Sequence, residues 1–259
     1  LPLAIDYLEN ANYPLVVSSD MTGDNNVCLC TTFECAKNFA EILFMQGESK
    51  IVIEEYSSGH NFTMYFITDG YNILPLGTEE VLYDLTTLDL PIAVFTPDNK
   101  VTLELQNKIL KEIAQNITDT LQKNGEPYVG ILGIDFVLTQ EDNLYVTGAR
   151  NSFRSIDAAA ILDTLEDDFY DLAQSCANGF FADEYEDILL NDNVSASIFV
   201  RSKINILDKK DLMESTISRF DNDRFVMTSL AKTMSRAKKN LLEDLEALDL
   251  KFRIDILNS

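Results

Sequence analysis

Tyr128-Val129-Gly130-Ile131-Leu132-Gly133-Ile134-Asp135-Phe136-Val137-Leu138-Thr139 is a nearly continuous apolar run, and after Gln140 to Asn143 it is followed by Leu144-Tyr145-Val146-Thr147. A strand with one wet face alternates apolar and polar residues, so an unbroken run reads as a strand covered on both faces. Gln140 to Asn143 has the composition of a turn, which makes the two segments a central hairpin.

Upstream of the hairpin, Leu105, Ile109, Ile113, Ile117 and Leu121 recur every four residues between Val101 and Lys123. They predict one long amphipathic helix, stopped by Gly125 and Pro127. Lys50 to Tyr56 and Phe62 to Thr68 read as strands, and Asp69-Gly70 turns the second into a third from Tyr71 to Leu76. Thr31 stands three residues before Glu34, the spacing of a reciprocal cap, and opens a helix that Gly47 ends. Phe33, Ala36, Phe39, Ala40, Leu43 and Phe44 share its apolar face.

Downstream, Leu162, Leu165, Phe169, Leu172 and Cys176 predict one helix ending at Gly179, with Glu166, Asp167, Asp168 and Asp171 on a solvated face. Strands over 195–200, 224–230 and 251–256 are expected, with a short helix over 208–220 and another marked by Met234, Ala237, Leu241, Leu245 and Leu248. With no internal repeat or low-complexity linker, helices beside mixed sheets define an α+β fold, with borders near residues 76 and 193.

Composition narrows the function classes. An apolar fraction of 46 % in 259 residues is enough for a packed core, which excludes disorder and fibrous folds. The formal net charge of −23 repels phosphate backbones and anionic lipid, so nucleic acid and membrane surfaces are excluded as partners. No run approaches the roughly 18 apolar residues of a membrane span, and the first residues lack a basic stretch followed by an apolar one. The chain reads as soluble and cytoplasmic. Its opening at Leu1, with Leu3 to Leu8 resembling the middle of a helix, marks a fragment or an excised domain.

Cys28 and Cys30 alternate with Val27 and Leu29, and Cys35 sits on a helix beside Ala36. This spacing matches no zinc knuckle, so these cysteines and Cys176 read as small buried hydrophobes. His60 is the single histidine, which excludes histidine dyads and histidine-rich metal sites, and its place after Gly59 predicts an exposed loop residue. Lys209-Lys210 and Lys238-Lys239 read as solvated helix positions.

The order of these elements, with particular words in them, resembles the ATP-grasp ligases, and within them the phosphoribosylamine-glycine ligase family. Pro14-Leu15-Val16-Val17, then Lys50 to Gly59, then Phe66 to Leu76 are similar to three consecutive family segments. Gly130 to Thr139 with Tyr145 to Arg150 resembles the family's metal-bearing hairpin, and Arg224 to Leu230 with Phe252 to Ile256 resembles the end of its C-terminal domain. The resemblance implies an ATP-grasp fold of two α+β subdomains, residues 1–76 and 77–193, with a shortened C-terminal α+β domain over 194–259. The family's N-terminal domain has no counterpart before Leu1. It further implies that MgATP activates a carboxylate as an acyl phosphate for attack by an amine.

Several positions depart from that pattern. The lysine after the family's first strand is Ser18, and its Gly-Lys-Gly phosphate loop is Asp24-Asn25-Asn26. The Glu used on the ribose hydroxyls falls at Asn61, an uncharged donor and acceptor. The Glu-x-Asn-x-Arg metal signature aligns with Val146-Thr147-Gly148-Ala149-Arg150, which keeps Arg150 and removes both magnesium ligands. The Gly-Asp-Pro-Glu word that follows is Asn151-Ser152-Phe153-Arg154, and the Gly-rich substrate loop is absent, with Glu79 to Asp98 running straight to the long helix.

The resemblance therefore leaves Arg150 as the catalytic candidate, Asp135 as a metal candidate, and the backbone of Ile53, Glu54, Glu55 and Tyr56, with Asn61, as the cofactor-binding candidates. Charge-assisted hydrogen bonds contribute about 1.5–3 kcal/mol each, so two lost lysines remove ~3–6 kcal/mol of ATP affinity, roughly 10²- to 10⁴-fold. The expected function is a catalytically degenerate relative, a binding or structural module with weakened or lost ATP and magnesium. An alternative is an active carboxylate–amine ligase whose missing parts are supplied elsewhere, with Asp135, Arg150 and Arg154 as survivors. A third reading is an acidic domain that docks a basic protein partner.

Overall fold

Pro2 opens the first helix, α1 (Pro2–Asn10), at the helical position where a missing N–H costs least. The computed structural model describes residues 2–20, 27–83, 91–179, 181–202, 206–207, 214–221, 223–250 and 257. The chain divides into two compact units, Leu1–Gly59 with Leu82–Ile92, and His60–Val81 with Ala93–Ser259.

In the first unit, β1 (Leu15–Ser19) is the centre of an antiparallel sheet between β2 (Val27–Cys30) and β3 (Ile51–Glu55). Helix α2 (Phe33–Met45) covers it, and Leu8, Leu15, Val17, Cys30, Ala36, Ala40 and Leu43 form the core. The cap of α2 is Thr32, whose hydroxyl accepts from the N–H of Cys35 at 3.3 Å, rather than the expected Thr31 with Glu34. Glu34 instead sits in the first turn, where a negative charge complements the helix dipole. Gly47, at φ +101°, ends the helix as expected.

The second unit is built on an eight-stranded sheet. Its strands are β4 (His60–Thr68), β5 (Ile73–Tyr83), β6 (Pro91–Thr96), β7 (Gly130–Leu138), β8 (Leu144–Arg150), β9 (Val194–Arg201), β10 (Thr216–Arg219) and β11 (Arg224–Ala231), in the order β10-β11-β9-β6-β5-β4-β7-β8. The expected hairpin is β7–β8, but it closes one end of the sheet instead of lying at its centre, because β8 pairs only with β7 and is the edge strand. On one face, Phe62, Met64, Phe66, Leu132, Ile134 and Phe136 pack against α3 (Leu103–Ile109), a π-helical turn (Leu110–Ala114) and α4 (Gln115–Lys123). On the other, Tyr65, Ile67 and Leu76 pack against α5 (Ser155–Leu162), α6 (Phe169–Asn178) and α7 (Phe181–Glu184). Helix α8 (Met234–Ala247) follows β11. Residues on either side of position 76 lie in β5, and those beyond position 193 continue into β9 of the same sheet.

The π turn explains the fourfold spacing of the long helix. A stripe repeating every four residues drifts around a helix of 3.6 residues per turn, and one wider turn takes up the drift. Other expectations are corrected. Strand β6 occupies part of the stretch read as running straight to the long helix. The single helix predicted from Leu162 to Cys176 is two helices, broken where Asp168 caps α6 by accepting from the N–H groups of Tyr170 and Asp171. Asp167 accepts from Leu189 N–H at 2.7 Å, so these two acids also anchor backbone, while Glu166, Asp168 and Asp171 are exposed as expected. Thr216–Arg219 is a strand paired with β11, not the end of a helix. The strand expected over 251–256, and Lys209-Lys210, lie outside the described residues.

Candidate functional site

The hairpin brings two rows of residues together across β4, β7 and β8. Thr63 pairs with Asp135 and Asp135 with Gly148, while Tyr65 pairs with Gly133 and Gly133 with Arg150. A bulge between Asp135 and Phe136 offsets the ladder beyond this point. Both glycines are needed for close approach. A Cβ at Gly133 would lie 2.5 Å from Tyr65 Cε1 and 2.7 Å from Arg150 Cγ, and one at Gly148 would lie 3.0 Å from Asp135 Oδ2.

The space left at Gly133 lets the Arg150 stem lie flat and its guanidinium reach Asp135. Arg150 Nη2 donates to Asp135 Oδ2, and Thr63 Oγ1 donates to Asp135 Oδ1 at 2.6 Å. Arg154, the residue before α5, lies behind them. Its Nε donates to Asp157 Oδ2 at 2.5 Å, and its Nη2 donates to Thr63 Oγ1 at 2.9 Å and Glu79 Oε1 at 3.1 Å. Its Nη1 stands 3.9 Å from Asp135 Oδ1. Tyr65 donates its phenol to Asp157.

Glu79 and Asp157 are fully buried. Burial first, and then the Asp157 carboxylate, hold the Glu79 carboxyl well above the usual glutamate range despite Arg154. Two guanidiniums, those of Arg150 and Arg154, thus face the three carboxyl groups of Asp135, Asp157 and Glu79. Burial and the same acids push the Tyr65 phenol up. The ring of Phe153 closes the cluster, 4.8 Å from Tyr65 and 5.7 Å from Phe169 between centroids.

These residues do not fit magnesium, which prefers several carboxylate oxygens in open octahedral geometry. Both oxygens of Asp135 are engaged, by Arg150 and Thr63, and the β8 residues facing β7 at Phe136 and Asp135 are Val146 and Gly148. The sequence candidates Asp135 and Arg150 are therefore brought together as an ion pair.

The nucleotide candidates divide. Asn61 is the second residue of β4, paired with Val137. Ile53, Glu54 and Glu55 lie on β3, the edge of the three-stranded sheet, with Tyr56 just after it. Tyr56 N–H donates to Pro14 O at 3.3 Å, which fixes the ladder alternation and turns the backbone groups of Glu55 and Ile53 to the open edge. Those of Glu54 and Tyr56 face β1. Ser18 is within β1, and residues 24–26 lie outside the described residues.

His60 is not an exposed loop residue. It starts β4, half-buried, with Nε2 at 2.5 Å from Asp98 Oδ2 and Nδ1 at 3.5 Å from Glu80 Oε1. Lys238 is also not simply solvated: its ammonium lies 4.2 Å from the Phe95 ring centroid, and burial pulls it down. Thr63, Tyr65, Glu79 and Asp157 were missed by sequence reasoning. The one signal was a charged or hydroxyl residue inside an otherwise apolar strand or, for Asp157, an otherwise apolar helix.

An eight-stranded sheet between helical layers, together with a small three-stranded unit, is found in the ATP-grasp enzymes. The biotin carboxylase domain of Hydrogenobacter thermophilus 2-oxoglutarate carboxylase, solved with MgADP, ADP and bicarbonate, superposes with a TM-score of 0.69 at 15 % identity, covering 99 % of this chain and 63 % of that one. Phosphoribosylamine–glycine ligase from Thermotoga maritima gives 0.68 at 14 % identity, covering 95 % and 68 %. Residues 2–148, more than half the chain, match the phosphoribosylglycinamide synthetase ATP-grasp (A) domain, and the chain belongs to that family. Phosphoribosylamine–glycine ligase of Vibrio parahaemolyticus is 24 % identical over 180 residues, 65 % of this chain and 42 % of that protein. The chain thus spans about two fifths of the length of such relatives. Among the described residues no helix is long and apolar enough to cross a membrane.

Proposed function

We propose that this chain is a non-catalytic derivative of the ATP-grasp part of phosphoribosylamine–glycine ligase, serving as a binding or structural module. The observation that carries this reading is the occupation of Asp135 by Arg150 and Thr63, with Val146 and Gly148 where the family's metal signature falls. Phosphoryl transfer needs cations on the developing charge, and an inward-turned ion pair offers none.

Adenine recognition through backbone groups does not depend on those side chains. The outward groups of Ile53 and Glu55 support weak, magnesium-indifferent nucleotide binding at the β3 edge. The net charge of −23 supports a basic protein as the partner. Four free thiols support a reducing, cytoplasmic setting.

Isothermal titration calorimetry with ATP, run with magnesium and again with EDTA, tests the proposal. The expected isotherms are weak, with a millimolar Kd, and superimposable. Micromolar binding that EDTA abolishes would overturn the reading in favour of an active carboxylate–amine ligase.

A further inference from the structure

Three of the four cysteines converge in the first unit, far in sequence from the hairpin chemistry. Cys28 and Cys30 are two positions apart on β2, so their side chains leave the same face of the strand. That face packs on α2, with Cys30 fully buried beside Ala36 and Ala40 and Cys28 and Cys35 half-buried around it. Only Thr31 and Thr32 separate β2 from α2, which holds Cys35, in the helix's first turn, against the strand it has just left.

The three sulfurs lie within 4.8 Å of one another, and none is in a disulfide. A metal bonded to three sulfurs at about 2.3 Å sets them roughly 4 Å apart in a trigonal plane. The group is all sulfur, and it is the one His, Cys, Asp or Glu group of metal-binding geometry among the described residues. Hard cations are excluded by that donor set, since they require oxygen. Structural zinc takes four ligands, whereas three thiolates match a softer ion.

We propose that Cys28, Cys30 and Cys35 form a three-sulfur site for a soft, thiophilic cation, copper(I) in preference to zinc(II), which ties β2 to α2. Metal entry displaces the thiol protons to solvent and changes no oxidation state. The site is independent of the nucleotide reading, because none of its residues belongs to β3, β7 or β8.

The test is anaerobic titration of the reduced full chain with copper(I) against the chelator bicinchoninate, with zinc(II) in a parallel series. The chain is expected to withdraw one equivalent of copper(I), with a rise in thermal midpoint. Cys35→Ser is expected to weaken retention by more than the roughly 10- to 100-fold typical of losing a supporting residue around a metal, and Cys28→Ser likewise. Both positions are half-buried, so these variants keep the test valid if Cys30→Ser fails to fold. Cys176→Ser, in the second unit, leaves retention unchanged. Retention unaffected by Cys28→Ser and Cys35→Ser, no withdrawal of copper(I) by a chain with all thiols titratable, or tighter retention of zinc(II) would overturn the proposal.

Discussion

The edge of β3 and the hairpin β7–β8 present two different kinds of chemistry, backbone groups at the first and side chains at the second. At β3 the useful groups are backbone N–H and C=O, positioned by a ladder that tolerates almost any side chain. At the hairpin the chemistry belongs to side chains, and these are engaged with one another. Arg150 and Arg154 face inward to Asp135, Asp157 and Glu79. A backbone site tolerates substitution of its side chains, whereas a side-chain site is sensitive to each one.

The largest effect should come from breaking the hairpin's buried end. Arg154→Ala leaves the Asp157 carboxyl buried and without its guanidinium, and removal of one partner of such a pair costs about 3–5 kcal/mol. Urea unfolding is expected to show that loss in its midpoint. Gly133→Ala comes next. A methyl 2.5 Å from Tyr65 and 2.7 Å from Arg150 must displace both, an overpacking cost of about 1–3 kcal/mol that should also open the Arg150–Asp135 pair.

Glu79→Gln sharpens the comparison through pH. Because the folded-state pKa of Glu79 is raised above its ordinary 4.5, the native state holds a proton that the unfolded chain has released. The corresponding stability is complete below that ordinary value and is lost as pH rises through the folded one, at up to ~1.4 kcal/mol per pH unit for one proton. Unfolding curves across that window should be flatter for Glu79→Gln than for the parent chain, and parallel profiles would contradict the assignment. The smallest effect is expected at β3. Glu54→Ala and Glu55→Ala, on exposed side chains, should change stability by less than about 0.5 kcal/mol and leave ATP binding unaltered by calorimetry.

Much of the fold was legible because it rests on local pattern. The run from Tyr128 to Thr139 announced its strand, and Gly47 and Gly179 announced helix ends that both take left-handed backbone. What failed depended on distant partners. Thr216-Ile217-Ser218-Arg219 has no decisive periodicity, and it is a strand because β11 lies beside it. His60 looked like a loop residue until Asp98 and Glu80 were placed around it. At the site, Asp135 and Arg150 were legible as candidates, but their union depends on register and on the space at Gly133. Thr63 stands 72 residues from Asp135, and no local signal connects them. The three thiols read as packing because spacing along the chain hides how a two-residue link folds a helix back onto its strand.

The most direct test of the hairpin is a manganese(II) titration followed by electron paramagnetic resonance, with ADP present. With Asp135 already engaged by Arg150 and Thr63, the free-ion signal is expected to match that of buffer into the millimolar range. Loss of one equivalent of signal at micromolar manganese, restored by Asp135→Asn, would show that the hairpin still holds a divalent cation and would contradict the non-catalytic reading.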